Sequence, residues 1–148
     1  MIDFQLTFDQ IFERTISIDA PPSKVWAALT SSELMKVWMS EAVVDIVTDW
    51  QVGSPIIIVG QVYKKPFENK GLVLLFEEEK ELQYTHLSAL SGLPDIPENH
   101  SKIEFRLTPD NAGTILSLTV SNFPTEAIYR HLAFYWNVTL HVLKKFLE

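Results

Sequence analysis

PTEAIYRHLAFYWNVTLHVLKKFL, Pro124 to Leu147, decides the fold. It holds one proline, at its start, and no glycine, so nothing in it interrupts a helix. At about 1.5 Å per residue such a helix runs about 36 Å, long enough to cross a small domain. Ile128, Leu132, Tyr135/Trp136, Thr139/Leu140, Leu143 and Phe146/Leu147 recur at three- and four-residue spacing and make one broad apolar face. Arg130, Asn137, His141, Lys144, Lys145 and Glu148 lie around the opposite side. A helix of this shape needs a large apolar surface to lie on, and the residues ahead of it read as a sheet.

Working back from the helix, Ser101 to Leu107 (SKIEFRL) and Thr114 to Val120 (TILSLTV) alternate apolar and polar and form two strands around Pro109–Gly113. Ile103, Phe105 and Leu107 share one face, as do Leu116, Leu118 and Val120, while Lys102, Glu104 and Arg106 mark a wet face. Leu90 to Asn99 (LSGLPDIPEN) is punctuated by proline and glycine and reads as a loop over a cavity mouth. Leu82 to Leu87 (LQYTHL) pairs as a hairpin with Gly71 to Glu77 (GLVLLFE), turning through Glu78, Glu79 and Lys80. Ile56 to Tyr63 (IIIVGQVY), with a turn at Lys64-Lys65-Pro66, and Glu41 to Thr48 (EAVVDIVT) complete five or six consecutive strands.

Ahead of these, Phe12 to Asp19 (FERTISID) is a first strand, and Ile2, Phe4, Leu6 and Phe8 add an edge segment or fold back over a pocket. Ala20-Pro21-Pro22-Ser23 breaks the strand and opens a short helix with Val25, Trp26 and Leu29 inside. Thr30 to Glu33 matches a capping box, which starts a second short helix from Leu34 to Trp38. The order is strand, two short helices, antiparallel strands and one long helix. Helices segregated from consecutive strands give an α+β fold, a curved antiparallel β-sheet wrapped around one long C-terminal α-helix. No repeat or linker divides residues 1–148, which read as a single domain with residues 1–11 as an N-terminal extension.

Composition narrows the function. With 47% hydrophobic and 21% charged residues the chain is globular rather than disordered. Its net charge of -7 opposes binding to nucleic acid or anionic lipid, both of which it repels. The absence of cysteine excludes disulfides, thiolate catalysis and cysteine-ligated metal. No secretion signal and no membrane-spanning apolar run is visible, so a cytoplasmic protein is expected.

"RTISIDAPPSKVWAALTSSELMKVW" resembles the START/SRPBCC superfamily, and most closely its branch related to the activator of heat-shock protein 90 ATPase. In that branch a strand leads into aliphatic–Asp–Ala–Pro–x–x–x–Val–Trp and a short helix ending in Trp; here these are Ile18, Asp19, Ala20, Pro21, Val25, Trp26 and Trp38. The likeness continues through "LQYTH", "GTILSLTVSNFP" and Trp136, Leu140, Leu143 and Leu147, covering Phe12 to Glu148. The resemblance implies the helix-grip fold, with an apolar cavity between sheet and helix. It leaves activity open, since the superfamily includes lipid carriers, cyclases, hydrolases and cochaperone domains. Two positions depart from the pattern: Val120 stands where a histidine is common, and His86 where an aromatic residue often stands.

Within such a cavity Trp38, Tyr63, Tyr84, Tyr135 and Trp136 are candidate lining residues, joined by the inward-facing Phe105 and Leu118, since aromatics combine apolar area with a polar tip. Trp26 is read as core. Tyr84 and His86 are two apart in one strand, so they face the same way and form the best polar pair for a carbonyl or hydroxyl, or for acid–base work. The competing reading for His86 is a satisfied histidine at the sheet margin. His131 and His141 lie about 15 Å apart along the helix and cannot share a metal, His100 is expected to be solvated, and no HExxH-type spacing appears. Ser88 and Ser91 lack the G-x-S-x-G elbow of a nucleophile. Phe134 falls on the wet side of the long helix, the mark of a partner or dimer surface. The expected function is binding of a small apolar or aromatic molecule, with no cofactor and no metal. The alternative is a cochaperone-like module in stress response that stimulates a heat-shock protein 90 type ATPase, and a cyclase- or hydrolase-type enzyme using His86 comes third.

Overall fold

A computed structural model describes residues 10–40 and 42–148. The readings of Ile2, Phe4, Leu6 and Phe8, and of Glu41 as the start of a strand, fall outside the described residues. The elements are β1 (Phe12–Ile18), α1 (Pro22–Thr30), α2 (Ser32–Trp38), β2 (Val44–Val47), β3 (Pro55–Val62), β4 (Lys65–Glu77), β5 (Glu81–His86), β6 (Ser101–Asp110), β7 (Gly113–Ser121) and α3 (Glu126–Leu147). All seven strands join one antiparallel sheet in the order β1-β7-β6-β5-β4-β3-β2. It curls around α3, the helix-grip arrangement.

The local chemistry of the helices explains their ends. Pro22 occupies the first turn of α1, where its missing N–H costs nothing. Thr125 caps α3, its side-chain oxygen accepting from Ile128 N at 3.1 Å, and Glu126 at the start with Lys144 and Lys145 at the end suit the helix dipole. The capping box expected at Thr30 is corrected. Thr30 is still helical and its hydroxyl donates back to Trp26 O at 2.8 Å, so Ser31, in extended conformation, caps α2 by accepting from Leu34 N.

Several strands are longer than their sequence signals. β4 begins at Lys65, not Gly71, and the β3–β4 turn is Tyr63-Lys64 rather than Lys64-Lys65-Pro66. The polar PFENK stretch pairs with β3, and Pro66 is tolerated because this half of β4 has no pairing with β5, which starts at Val73. Tyr63 and Lys64 take φ values of 51 and 66, which a two-residue hairpin turn of this hand requires and which a tyrosine adopts only with strain. β6 and β7 likewise extend to a two-residue turn at Asn111 and Ala112.

The core forms where α3 meets the sheet. Ile128, Leu132, Trp136, Leu140, Leu143 and Leu147 are buried against Ile103, Phe105, Leu116, Leu118 and Val120. Phe146, read as part of the inner face, is instead exposed at the helix margin. The outer edge of β1 is covered by α3: Lys144 Nζ donates to Ser17 O, and Asp19 N donates to Glu148 Oε2 at 3.0 Å. No helix among the described residues is long and apolar enough to cross a membrane.

Candidate functional site

A cavity of about 630 Å³ opens between the concave face of the sheet and α3. Alternation along each strand decides which residues reach it. Val44 and Ile46 of β2, Ile58 of β3 and Ile103 of β6 turn inward, and Leu132 and Trp136 of α3 close the opposite side. β5 and its extended continuation contribute Tyr84, His86 and Ser88. Tyr63 on the β3–β4 hairpin tip and Leu90 in a short 3-10 helix (Ala89–Ser91) also line it; of the loop over residues 90–99, Leu90 alone among the described residues reaches the cavity. A more open, more polar groove of about 800 Å³ runs past Val43, Asp45, Gly60 and Glu68, without the apolar enclosure of the cavity under α3.

Five of the eight candidate lining residues meet at this cavity: Tyr63, Tyr84, His86, Tyr135 and Trp136. Trp38, Phe105 and Leu118 do not line it; they are packed behind it in the core. Trp38 spends its indole N–H on Ala28 O at 2.9 Å and packs on Trp136 with ring centroids 6.4 Å apart. Phe105 lies edge-on to Trp136 at 5.6 Å. Trp26 is core, as read. Tyr63 is 96% exposed, a rim residue rather than a wall. Sequence reasoning missed Ser88, although the same parity that pairs Tyr84 with His86 includes it. It also missed Val44, Ile46 and Ile58, whose facing depends on a strand register no local signal reveals.

The polar groups divide into used and unused. Tyr135 donates its hydroxyl to Met39 O, and burial pushes its phenol up to about 12. Tyr84 is 3% exposed, packs on Trp50 and Phe105, and is pushed well above the usual phenol range by burial. Its hydroxyl therefore keeps its proton, and it makes no hydrogen bond among the described residues. His86 is half-buried and also lacks a hydrogen-bond partner among the described residues, so it is not the satisfied marginal histidine of the competing reading. Burial first, then His131 and His100, lowers its pKa to about 4, which leaves a neutral imidazole at the cavity wall.

His100 is not solvated as expected; its side chain is 10% exposed and bonded at both nitrogens. Thr85 Oγ1 accepts from Leu72 N at 2.9 Å and lies 2.9 Å from His100 Nδ1, while His100 Nε2 lies 2.6 Å from Asp95 Oδ1. Asn122 Nδ2 adds a bond to His100 O at 2.7 Å. Hydroxyl, imidazole and carboxylate follow the order of a nucleophile–base–orienter set, but Thr85 alternates with Tyr84 and His86 and so faces away from the cavity. Its effect is mechanical: it pins the far end of the loop over residues 90–99 to the sheet.

The family model described as activator of Hsp90 ATPase homolog 1-like protein matches residues 19–148. No curated protein matches the chain. Among solved structures, a protein from Cytophaga hutchinsonii is similar at 40% identity, covering 93% of each chain with a TM-score of 0.78. The Aha1 dimer from Colwellia psychrerythraea is similar at 26% identity, covering 94% of this chain and 96% of that one, with a TM-score of 0.71. A protein from Nitrosomonas europaea shares the fold at 24% identity over 93% of each chain, TM-score 0.76.

Proposed function

The chain belongs to the activator of Hsp90 ATPase homolog 1-like family, and on that footing we propose that it binds a small apolar or aromatic molecule in the cavity between the sheet and α3. The observation that carries this reading is the cavity itself, about 630 Å³. That size falls within the roughly 300–1,000 Å³ of small-molecule sites, which combine apolar walls with few polar groups. Apolar contact with Val44, Ile46, Ile58 and Leu132 supplies the affinity, and Tyr84 and His86 orient the molecule. Native mass spectrometry on gently purified, detergent-free protein tests it. A reproducible extra mass on the folded ion, lost on denaturation, is the expected result; a clean apo mass that no added aromatic compound shifts counts against binding.

A second reading, a cochaperone-like module that stimulates a heat-shock protein 90 type ATPase, is favoured by the family description. The exposed Phe134 on α3, at 72%, supports a partner surface of this kind, and the dimeric relative makes a homodimer the competing partner. A rise in the ATPase rate of purified heat-shock protein 90 on titration favours the chaperone; a flat titration counts it out.

A further inference from the structure

The polar groups of the cavity are not scattered. Tyr84, His86 and Ser88 are alternate residues of one extended segment, and all three line the cavity. Alternate residues of a strand lie about 6.7 Å apart, so the row spans about 13 Å. Tyr84 is one end, held between Trp50 and Phe105 at ring-centroid distances of 6.2 and 6.4 Å. Ser88, also buried, is the other end, beside the 3-10 helix that carries Leu90.

Each member has hydrogen-bonding capacity to spare. Tyr84 is 3% exposed as a residue, but its hydroxyl opens onto the cavity and has no partner among the described residues. A hydroxyl left unbonded at an apolar wall is poised for an acceptor that arrives with a ligand. His86, neutral and unbonded, offers one donor and one acceptor nitrogen. Ser88 Oγ accepts from Leu90 N at 3.1 Å, which leaves its hydrogen free to donate. The facing walls are mainly apolar, with Ile46, Ile58 and Leu132, and the Tyr135 hydroxyl there is already bonded to Met39 O. Among the described lining residues none supplies a buried counterion: Lys65 and His131 are exposed, and His86 is neutral. An ionised group carried into the cavity would lose its hydration with no opposite charge to replace it.

We propose that this row selects an elongated, uncharged ligand that carries hydrogen-bonding oxygens along one edge at a spacing of about 6.7 Å, with one acceptor for Tyr84 and the next along the edge for His86. The proposal rests on the cavity reading above and narrows it from apolar molecules in general to edge-oxygenated ones. The rest of such a molecule lies against the aliphatic wall of β2, β3 and α3.

Two isomers of a naphthalene diol test it. One has both hydroxyls on the same long edge, about 7 Å apart and so matched to the rungs of the row; the other has them on opposite edges. Composition and apolar area are the same, so a difference in affinity reports the row and not the hydrophobic contact. Calorimetric titration of the full chain should give about ten-fold tighter binding of the same-edge isomer, the effect of one additional satisfied hydrogen bond. The preference should vanish in Tyr84→Phe, which keeps the ring contacts with Trp50 and Phe105 and removes only the hydroxyl. His86→Phe, which removes the next rung, should reduce it too. Equal binding of the two isomers to the unaltered chain overturns the row proposal while leaving the cavity reading intact. Failure of both diols and of naphthalene to bind overturns the cavity reading with it. A same-edge preference that survives Tyr84→Phe together with His86→Phe also overturns the proposal.

Discussion

The hydroxyl of Tyr135 on α3 donates to the main-chain carbonyl of Met39, the residue that ends α2, across a sequence separation of 96. Both residues line the cavity, so this bond ties the long helix to the short one at the rim. Tyr135→Phe removes it and leaves the Met39 carbonyl partly unsatisfied. The expected loss is about 1–2 kcal/mol in chemical denaturation, with faster hydrogen exchange at the end of α2. An unchanged midpoint and unchanged exchange would show that the bond does not hold the rim.

Trp136 should be tolerant of one change and not of another. It sits at the centre of the aromatic cluster with Trp38, Phe105 and Tyr135, and its indole N–H is buried without a partner among the described residues. Trp136→Ala leaves a large void and should cost about 3–5 kcal/mol. Trp136→Phe keeps much of the volume and gives up no hydrogen bond, so it should cost less than half as much. Equal destabilisation by the two variants in urea melts would contradict this account.

His86 gives the protein a pH signature. Its pKa is lowered from 6.5 to about 4, so between those values the unfolded chain binds the extra proton and the folded chain does not. Stability is therefore full above about pH 6.5 and falls as the pH drops toward 4. Thermal melts across that window should show a shallower loss for His86→Phe than for the unaltered chain. Parallel curves would mean that His86 titrates alike in both states.

Filling the cavity should separate binding from folding. Ile58 is half-buried on β3 and lines the cavity, so Ile58→Trp places an indole in the void with room to accept it. Uptake of an aromatic probe should fall at least about ten-fold while the circular dichroism spectrum is unchanged. Undiminished uptake in a folded variant would place the probe elsewhere.

Phe134, Val138 and Val142 are exposed and four residues apart on α3, one row on its outer side. Phe134→Glu should change the melting stability by less than about 0.5 kcal/mol, because the side chain packs on little within its own chain. The same variant should shift the oligomeric state in ultracentrifugation, or abolish chaperone stimulation, if this row contacts a partner. No change in either would remove the row as an interface.

What the sequence determined by itself was periodicity and its immediate consequences. The long apolar stripe of Ile128, Leu132, Trp136, Leu140 and Leu143 and the alternation of Ile103, Phe105 and Leu107 dictated a helix lying on a sheet, because burial rewards those spacings whatever surrounds them. The same parity placed Tyr84 and His86 on the inner face of β5. Tertiary structure alone decided the rest. Phe105 and Leu118 face inward as their parity demands, yet whether an inward residue meets another side chain or a void depends on how closely α3 approaches at that point, and there it packs tightly. His100 looked solvated because its partners Thr85 and Asp95 come together only when the loop folds back on the sheet. PFENK lay outside the strand read from Gly71 because its polar residues carry no strand signal, and pairing with β3 overrides that weak propensity. Local sequence dictates which way a side chain points; what it then meets is settled by elements far away along the chain.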